Sequence, residues 1–250
     1  MLELDNVSAV RGATTIWSDG TFAVPSGSIT GVIGPNGSGK TTLLLMILGL
    51  LRPGSGKITV FGQVPKRGNT RIGYVPQNYA SIAGESIRAR DLVLLGLTGA
   101  TYGLRRTSRE QHARVDQVLA EVGAGGFGDR RMSQLSGGQQ QRVAIAQALV
   151  GNPRMLLLDE PLANLDVRNQ QEIVDLLSRI NTERGIDILL VVHDLNPLLS
   201  VLDGAIYLLD GHAHHDNVNE VVSEELLTHL YGTAIKVVRT PQGDLFTRSA

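Results

Sequence analysis

Nine consecutive residues, Gly34-Pro35-Asn36-Gly37-Ser38-Gly39-Lys40-Thr41-Thr42, constrain this chain more than any other stretch. Two glycines with four residues between them, then Lys and a hydroxyl residue, match a phosphate-binding loop. The apolar run Ile29 to Ile33 before it reads as a buried strand, and Leu43 to Leu51 after it as an apolar helix. A polyphosphate carries several negative charges, so such a loop must offer convergent backbone N–H groups. Gly34, Gly37 and Gly39 let the chain bend closely enough to supply them. The helix adds its positive end. Lys40 is predicted to reach the β- and γ-phosphates as a point charge, and the Thr41 hydroxyl to ligate Mg²⁺. The plainer alternative, a Gly-rich turn with a surface lysine, leaves the flanking strand and helix unexplained.

At 250 residues the chain suits one large domain, or one core with an inserted subdomain. Its 23 Lys and Arg against 24 Asp and Glu leave no electrostatic footprint for nucleic acid, so duplex binding is disfavoured. Zero cysteines exclude disulfides, thiolate zinc sites and iron–sulfur ligation, and fit a reducing cytosol. Met1 to Asp5 lacks the basic-then-apolar pattern of a signal peptide. Leu43 to Leu51 is under half the ~20 residues of a membrane helix and is stopped by Pro53, so a soluble chain is expected.

Leu2 to Val7 alternates apolar and polar residues like a half-buried strand. Trp17 to Val24 gives a second strand before the Pro25-Ser26-Gly27 turn, and the two form a sheet edge. Lys57 to Phe61 and Arg71 to Val75 read as short strands, after which Pro76-Gln77 leaves the sheet. From Ser86 to about Arg131 the pattern turns helical, with Asp91 to Leu97 one candidate and Arg109 to Val122 a clearer one. This predicts an inserted helical subdomain. The four glycines within Gly123 to Gly128 would cap the second helix and form a connector.

Leu135-Ser136-Gly137-Gly138-Gln139 then leads into a helix through Leu149. Ser136 as N-cap, with Gly137 and Gly138 exposing N–H groups at a helix start, has the form of a phosphate cradle without a lysine. The same residues also suit a capped helix and nothing more. Arg154 to Pro161 contains an apolar run that ends in Asp159 and Glu160, the form of a parallel strand buried on both faces. Ligands bind at the carboxyl ends of such strands. An acid there can hold Mg²⁺, and the next can orient or deprotonate water for attack on a γ-phosphate. A helix follows Asn164-Leu165-Asp166 through about Thr182. Ile186 to Val192 is another buried strand, ending in His193-Asp194, where a phosphate contact from His193 is expected.

Taken together and in this order, from Leu2 to about Tyr231, these motifs resemble the ATP-binding subunit of an ABC transporter. The resemblance implies an α/β fold: a P-loop ATPase core with a mixed sheet, an antiparallel β edge and an inserted α-helical subdomain. It implies a single domain over 1–250, with 1–85 and 151–250 forming the core and β subdomain, and 86–150 the helical subdomain carrying the signature. ATP and Mg²⁺ are the implied cofactors. Gly34, Pro35, Asn36, Gly37, Ser38, Gly39, Lys40, Thr41 and Thr42 correspond to the Walker A loop. Asp159 closes Walker B, Glu160 matches the catalytic carboxylate, Gln77 the Q-loop glutamine and His193 the switch histidine. Thr41, Gln77 and Asp159 are the implied metal ligands. Leu135 to Gln139 matches the signature LSGGQ, so Ser136, Gly137, Gly138 and Gln139 would close on ATP held by a second copy in a head-to-tail dimer. That would explain a phosphate cradle lacking lysine. Two positions depart from the family pattern: Arg11 stands where an adenine-stacking aromatic is usual, and Gln147 where Arg is common. A guanidinium plane can itself stack on a base.

The segments His193 to Leu199, Tyr207 to Gly211 and Leu230 to Gly232 resemble the ATPases of zinc- and manganese-type metal importers. That branch implies docking on membrane permease subunits through the region of Gln77 and Ser86 to Leu97. It also implies an extracytoplasmic solute-binding protein as an indirect partner, no nucleic-acid partner, and a place on the cytoplasmic face of the cell membrane. An iron-chelate or amino-acid importer ATPase and a soluble ABC assembly module are the alternatives. His212, His214 and His215 follow an Asp210-Gly211 turn on an expected exposed hairpin and are read as solvated rather than at a metal. Ala234 to Val238 and Asp244 to Thr247 are expected to pair as terminal strands.

Overall fold

The computed structural model describes residues 1–77, 79, 86–99, 107–239 and 245–249. The chain divides into two compact units, one of Met1–Asn69 with Asn181–Ala250 and one of Thr70–Ile180.

In the first unit, β1 (Leu2–Arg11) and β2 (Thr14–Val24) form an antiparallel hairpin, and β4 (Ser55–Val60) pairs antiparallel with the other edge of β1. This is the expected antiparallel edge. On the far side, β3 (Ile29–Ile33) lies parallel between β7 (Asp187–Val191) and β8 (Gly204–Leu209). All five residues of β3 and all five of β7 are buried, which is why both read as unbroken apolar runs rather than alternating ones. β9 (His212–Asn217) turns back antiparallel on β8 and meets β2 in parallel at Ser18, joining the two halves into one mixed sheet. The hairpin expected here is present, and His212 to His215 lie in its second strand. Asp210 and Gly211, at φ 51 and 77, form the tight left-handed turn that closes the hairpin. Helix α1 (Lys40–Ile47) follows β3 and buries Leu43, Leu44, Met46 and Ile47 completely.

In the second unit, β5 (Ile72–Val75) and β6 (Met155–Asp159) pair in parallel, so the segment between them must cross over. That crossover holds α2 (Ala89–Thr98), α3 (Arg109–Glu121) and α4 (Gly137–Leu149), and α5 (Val167–Arg184) follows β6. The expected helical insertion at 86–150 lies wholly within this unit, which also takes in β5, β6 and α5 as far as Ile180. Gly96 of α2 packs so closely on α4 that a Cβ there would lie 2.6 Å from the Gln147 carbonyl.

The first unit closes with α6 (Val218–Val221), α7 (Glu224–Tyr231) and an antiparallel pair, β10 (Ile235–Arg239) and β11 (Leu245–Ser249). The terminal strand pair is as expected.

Trp17, on the inner face of β2, is 1% exposed and its indole Nε1 is buried with no hydrogen-bond partner among the described residues. Its ring is thus held by packing alone. Trp17→Ala should cost about 3–5 kcal/mol of stability. Trp17→Phe keeps most of the ring and removes the orphaned donor, so it should cost less than about 1.5 kcal/mol. Thermal unfolding followed by circular dichroism checks the order; equal losses would mean that the indole nitrogen is satisfied in solution.

Candidate functional site

The phosphate loop sits where β3 stops and α1 starts. Gly34, Gly37 and Gly39 have φ of 153, 81 and 97, which L side chains resist, so the glycines supply the backbone path that the motif requires. Two of them are also pinned by neighbours. A Cβ on Gly34 would lie 2.6 Å from Ser38 Oγ and 2.7 Å from the Leu208 carbonyl, and one on Gly39 would lie 2.9 Å from both Ile16 Cγ2 and Trp17 Nε1. Lys40 is 7% exposed, and its Nζ donates to the carbonyls of Gly34 at 2.7 Å and Pro35 at 2.9 Å, folding the ammonium over the loop.

The start of α1 differs from the starts of α3 and α4. Ser108 and Ser136 each close a capping box, whereas Gly39 caps α1 with no side chain, and the first turn of α1 carries no acid. Its positive end thus has no anionic partner within its own turn. Ser38 Oγ is also buried without a partner among the described residues. An uncapped helix start, an orphaned hydroxyl and a folded lysine on one loop fit a bound polyphosphate. Asn36 and Gly37 are exposed at the loop's crest, Thr42 is buried, and Thr41 is exposed in the first turn of α1.

In the second unit, β6 carries Asp159 at its carboxyl end, 5% exposed, with Glu160 following at φ 53. A left-handed non-glycine residue is strained, and Glu160 is the residue at which the chain leaves β6. Gln77, just past β5, donates from Nε2 to Glu160 Oε2 at 2.6 Å. The structure therefore brings the expected Q-loop glutamine and catalytic carboxylate together directly. Asp159 also raises the pKa of the Tyr74 phenol, burial being the larger cause.

The signature segment forms the start of α4. Ser136 Oγ accepts from the Gln139 N–H at 3.3 Å and Gln139 Oε1 accepts from the Ser136 N–H at 3.0 Å. Gly137 and Gly138 are the first helical residues, as the motif predicts. Sequence reasoning missed what lies against them. Asp166 accepts from the backbone N–H and the side-chain amide of Asn169, at 2.9 and 2.6 Å, and these bonds lower its pKa. Asn169 in turn abuts Gly138, where any Cβ would collide with the Asn169 side chain. Glu172 of α5 accepts from Arg142 of α4 at 2.9 Å and from Arg168 at 3.1 Å, and both guanidiniums hold its carboxyl below the usual range. A cavity of about 620 Å³ opens here, lined among others by Ser136, Gly138, Gln139, Arg142 and Asn169. Asn164-Leu165-Asp166 hints at the α5 cap, but no spacing rule links it to Gly138.

The departure at Gln147 has a physical counterpart. Tyr79 is buried, its OH donates to Gln147 Oε1 at 2.8 Å, and burial pushes the phenol's pKa up. An arginine offers only donors and could not accept this bond. His193 is exposed beyond β7, and Arg11 is exposed at the end of β1 opposite Thr14. Of the three tail histidines, His214 stacks on Tyr207 and His215 on Phe22, while His212 faces Asp19 at 3.4 Å. Among the described residues no group of three or more His, Cys, Asp or Glu could hold a metal ion.

A profile of the ABC transporter family matches residues 18–163. The chain belongs to that family, with the ATPase fold of its motor subunits. It is 36% identical over 244 residues to the zinc transport system ATP-binding protein TroB of Treponema pallidum (strain Nichols), covering 97% of this chain and 91% of that one. It is 38% identical over 207 residues to the manganese transport system ATP-binding protein MntB of Bacillus subtilis (strain 168), covering 83% and 82%. Among solved structures it is similar to a dimeric ATP-binding cassette bound to ADP and Pi, with TM-score 0.73 and 30% identity over 87% of this chain and 99% of that one.

The loop geometry separates two glycines. Gly37 has φ 81 but open space beside it, whereas Gly39 has φ 97 and Trp17 against it. Gly37→Ala should carry only the left-handed backbone penalty of about 1–2 kcal/mol. Gly39→Ala adds a steric clash and should bind a fluorescent triphosphate analogue at least about tenfold more weakly than Gly37→Ala, read by anisotropy titration. Equal affinities would mean that Trp17 does not shape the loop.

Proposed function

We propose that this chain is the ATP-hydrolysing subunit of a membrane transporter that imports divalent metal ions, zinc or manganese. What supports this reading is that residues matching each of the family's hydrolytic motifs stand on a chain that aligns over 97% of its length with a zinc transport ATP-binding protein. The similarity thus runs past the motor motifs into the tail. Among the described residues no helix is long and apolar enough to cross a membrane. The chain would act peripherally, on the cytoplasmic face of permease subunits that supply the membrane path, with a solute-binding protein outside as an indirect partner.

In this reading the N–H groups of Gly34 to Thr42 and the Lys40 ammonium hold the triphosphate, and Arg11 stacks on the adenine in place of an aromatic ring. The oxygen donors of Thr41, Asp159 and Gln77 suit Mg²⁺, which when bound would neutralise phosphate charge. Glu160 takes the proton from the attacking water, and His193 contacts the γ-phosphate. The start of α4, from Ser136 to Gln139, offers N–H groups without a cation of its own. We assign it to ATP held by a second copy, head to tail. Each ATP would then join two copies, so that binding stabilises the dimer by mass action and hydrolysis releases it.

Three measurements test the reading. Lys40→Ala should lower ATP hydrolysis by about 100-fold or more; equal rates in wild type and variant would mean that the activity belongs to a contaminant. Glu160→Gln at saturating Mg²⁺-ATP should elute as a dimer by size-exclusion chromatography, and a variant that stays monomeric counts against the sandwich. Cells lacking this chain should lose zinc or manganese, restored by wild type but not by Glu160→Gln. Unchanged metal content would withdraw the cargo and leave the ATPase standing.

A further inference from the structure

The last strands of the chain touch the switch segment at one residue. Asn196 lies three positions after His193, in the 3₁₀ turn Asn196–Leu198. Its side chain makes three hydrogen bonds to a single partner 51 residues later. Asn196 Nδ2 donates to the Thr247 carbonyl at 3.0 Å, and Asn196 Oδ1 accepts from the Thr247 backbone N–H at 2.7 Å and from Thr247 Oγ1 at 3.0 Å. An amide that meets both backbone groups of one residue reproduces a rung of a β-ladder, so it fixes orientation as well as distance.

The near side of Asn196 is fixed as well. Its backbone N–H donates to Asp194 Oδ1 at 2.9 Å, closing a turn directly behind His193, and Leu195 and Leu198 anchor that turn in the core at 2% and 0% exposure. The far side is equally braced. The Ile235 N–H donates to Thr228 Oγ1 at 2.9 Å and the Val237 N–H to Glu224 Oε1 at 3.0 Å, tying β10 to α7. At the end of α7, the Tyr231 phenol is pushed up to about 12, first by burial and then by the charge of Asp194, so the turn has the tail on two sides. His193 itself is exposed and is reached through this turn.

We infer that the terminal hairpin β10–β11 is a positioning element for the switch histidine and acts through Asn196. This rests on the ATPase reading above, in which His193 contacts the γ-phosphate. A contact to the transferring group is sensitive to small displacements, whereas nucleotide affinity rests mainly on the phosphate loop, which Asn196 does not touch. Loosening the clip should therefore lower kcat and spare KM.

The test is steady-state ATP hydrolysis by the full chain. Asn196→Ala removes all three bonds, and Asn196→Asp sets a carboxylate against the Thr247 carbonyl; each should lower kcat about tenfold or more while KM for ATP moves less than about twofold. In the His193→Ala background Asn196→Ala should cost nothing further, because the clip then has nothing to position. Thr247→Pro removes the N–H donor and the hydroxyl from the other side, leaves the switch segment unaltered, and should reproduce the loss even if Asn196→Ala does not fold. Full kcat in these variants, or a loss that adds to that of His193→Ala, overturns the inference alone. Wild-type hydrolysis no faster than Lys40→Ala would overturn the ATPase reading, and this inference with it.

Discussion

A triphosphate gives up strongly bound water when it enters a protein, and only a dense set of donors can replace that water. In the proposed site one strand-loop-helix passage would supply them, and the first unit keeps that passage in shape. Gly34 is pressed against the Leu208 carbonyl of β8, and Gly39 against the Trp17 ring of β2. The loop is thus gripped by strands that pair on either side of β9. β3, buried throughout, delivers the chain to this point, and α1, buried along most of its length, takes it away. The apolar core therefore has a chemical consequence. It holds the loop in the left-handed backbone path that its three glycines allow.

The two helix starts differ in how they are capped. α1 has neither a capping side chain nor an acid in its first turn, which in the proposed site leaves its first N–H groups to the phosphates. α4 has a capping box, and its two glycines are held down by Asn169 and Leu165 rather than by side chains of their own. Its N–H groups are presented on a rigid frame, and the ion triad of Arg142, Glu172 and Arg168 fixes α4 to α5 beside them. The frame is mostly solvent-exposed, so its worth lies in geometry more than in stability.

How much of this was legible follows from the range of the interactions. Motifs that act through adjacent backbone, such as Gly34 to Thr42 and Ser136 to Gln139, could be read because local spacing is their whole content. Buried strands such as Met155–Asp159 were legible from apolar runs, and their ends marked the acids and the histidine. What could not be read is contact across the fold. The Asp210-Gly211 turn marked the hairpin of β8 and β9, but the polar residues His212, His214 and Asp216 gave no sign that β2 pairs with β9 or that Tyr207 and Phe22 supply faces for two of the rings. Gln147 looked like an unexplained departure until Tyr79 was found donating to it. Asn169 beneath Gly138 and Thr247 on Asn196 belong to the same class, since nothing in their local sequence names the partner.

The contact between Gln77 and Glu160 shows why residue type matters beyond charge. A general base must be ionised, oriented and still basic. A lysine or arginine at position 77 would hold the carboxylate firmly but stabilise its anion and so depress its basicity. A primary amide donates one hydrogen bond with no net charge, so it orients Glu160 without placing a cation against it. It also brings an acceptor oxygen on the same carbon, which a cationic side chain lacks and a hard metal ion can use. The φ of 53 at Glu160 marks the residue at which the chain leaves the extended path of β6. One neutral side chain thus orients the proposed base without bringing a charge to it.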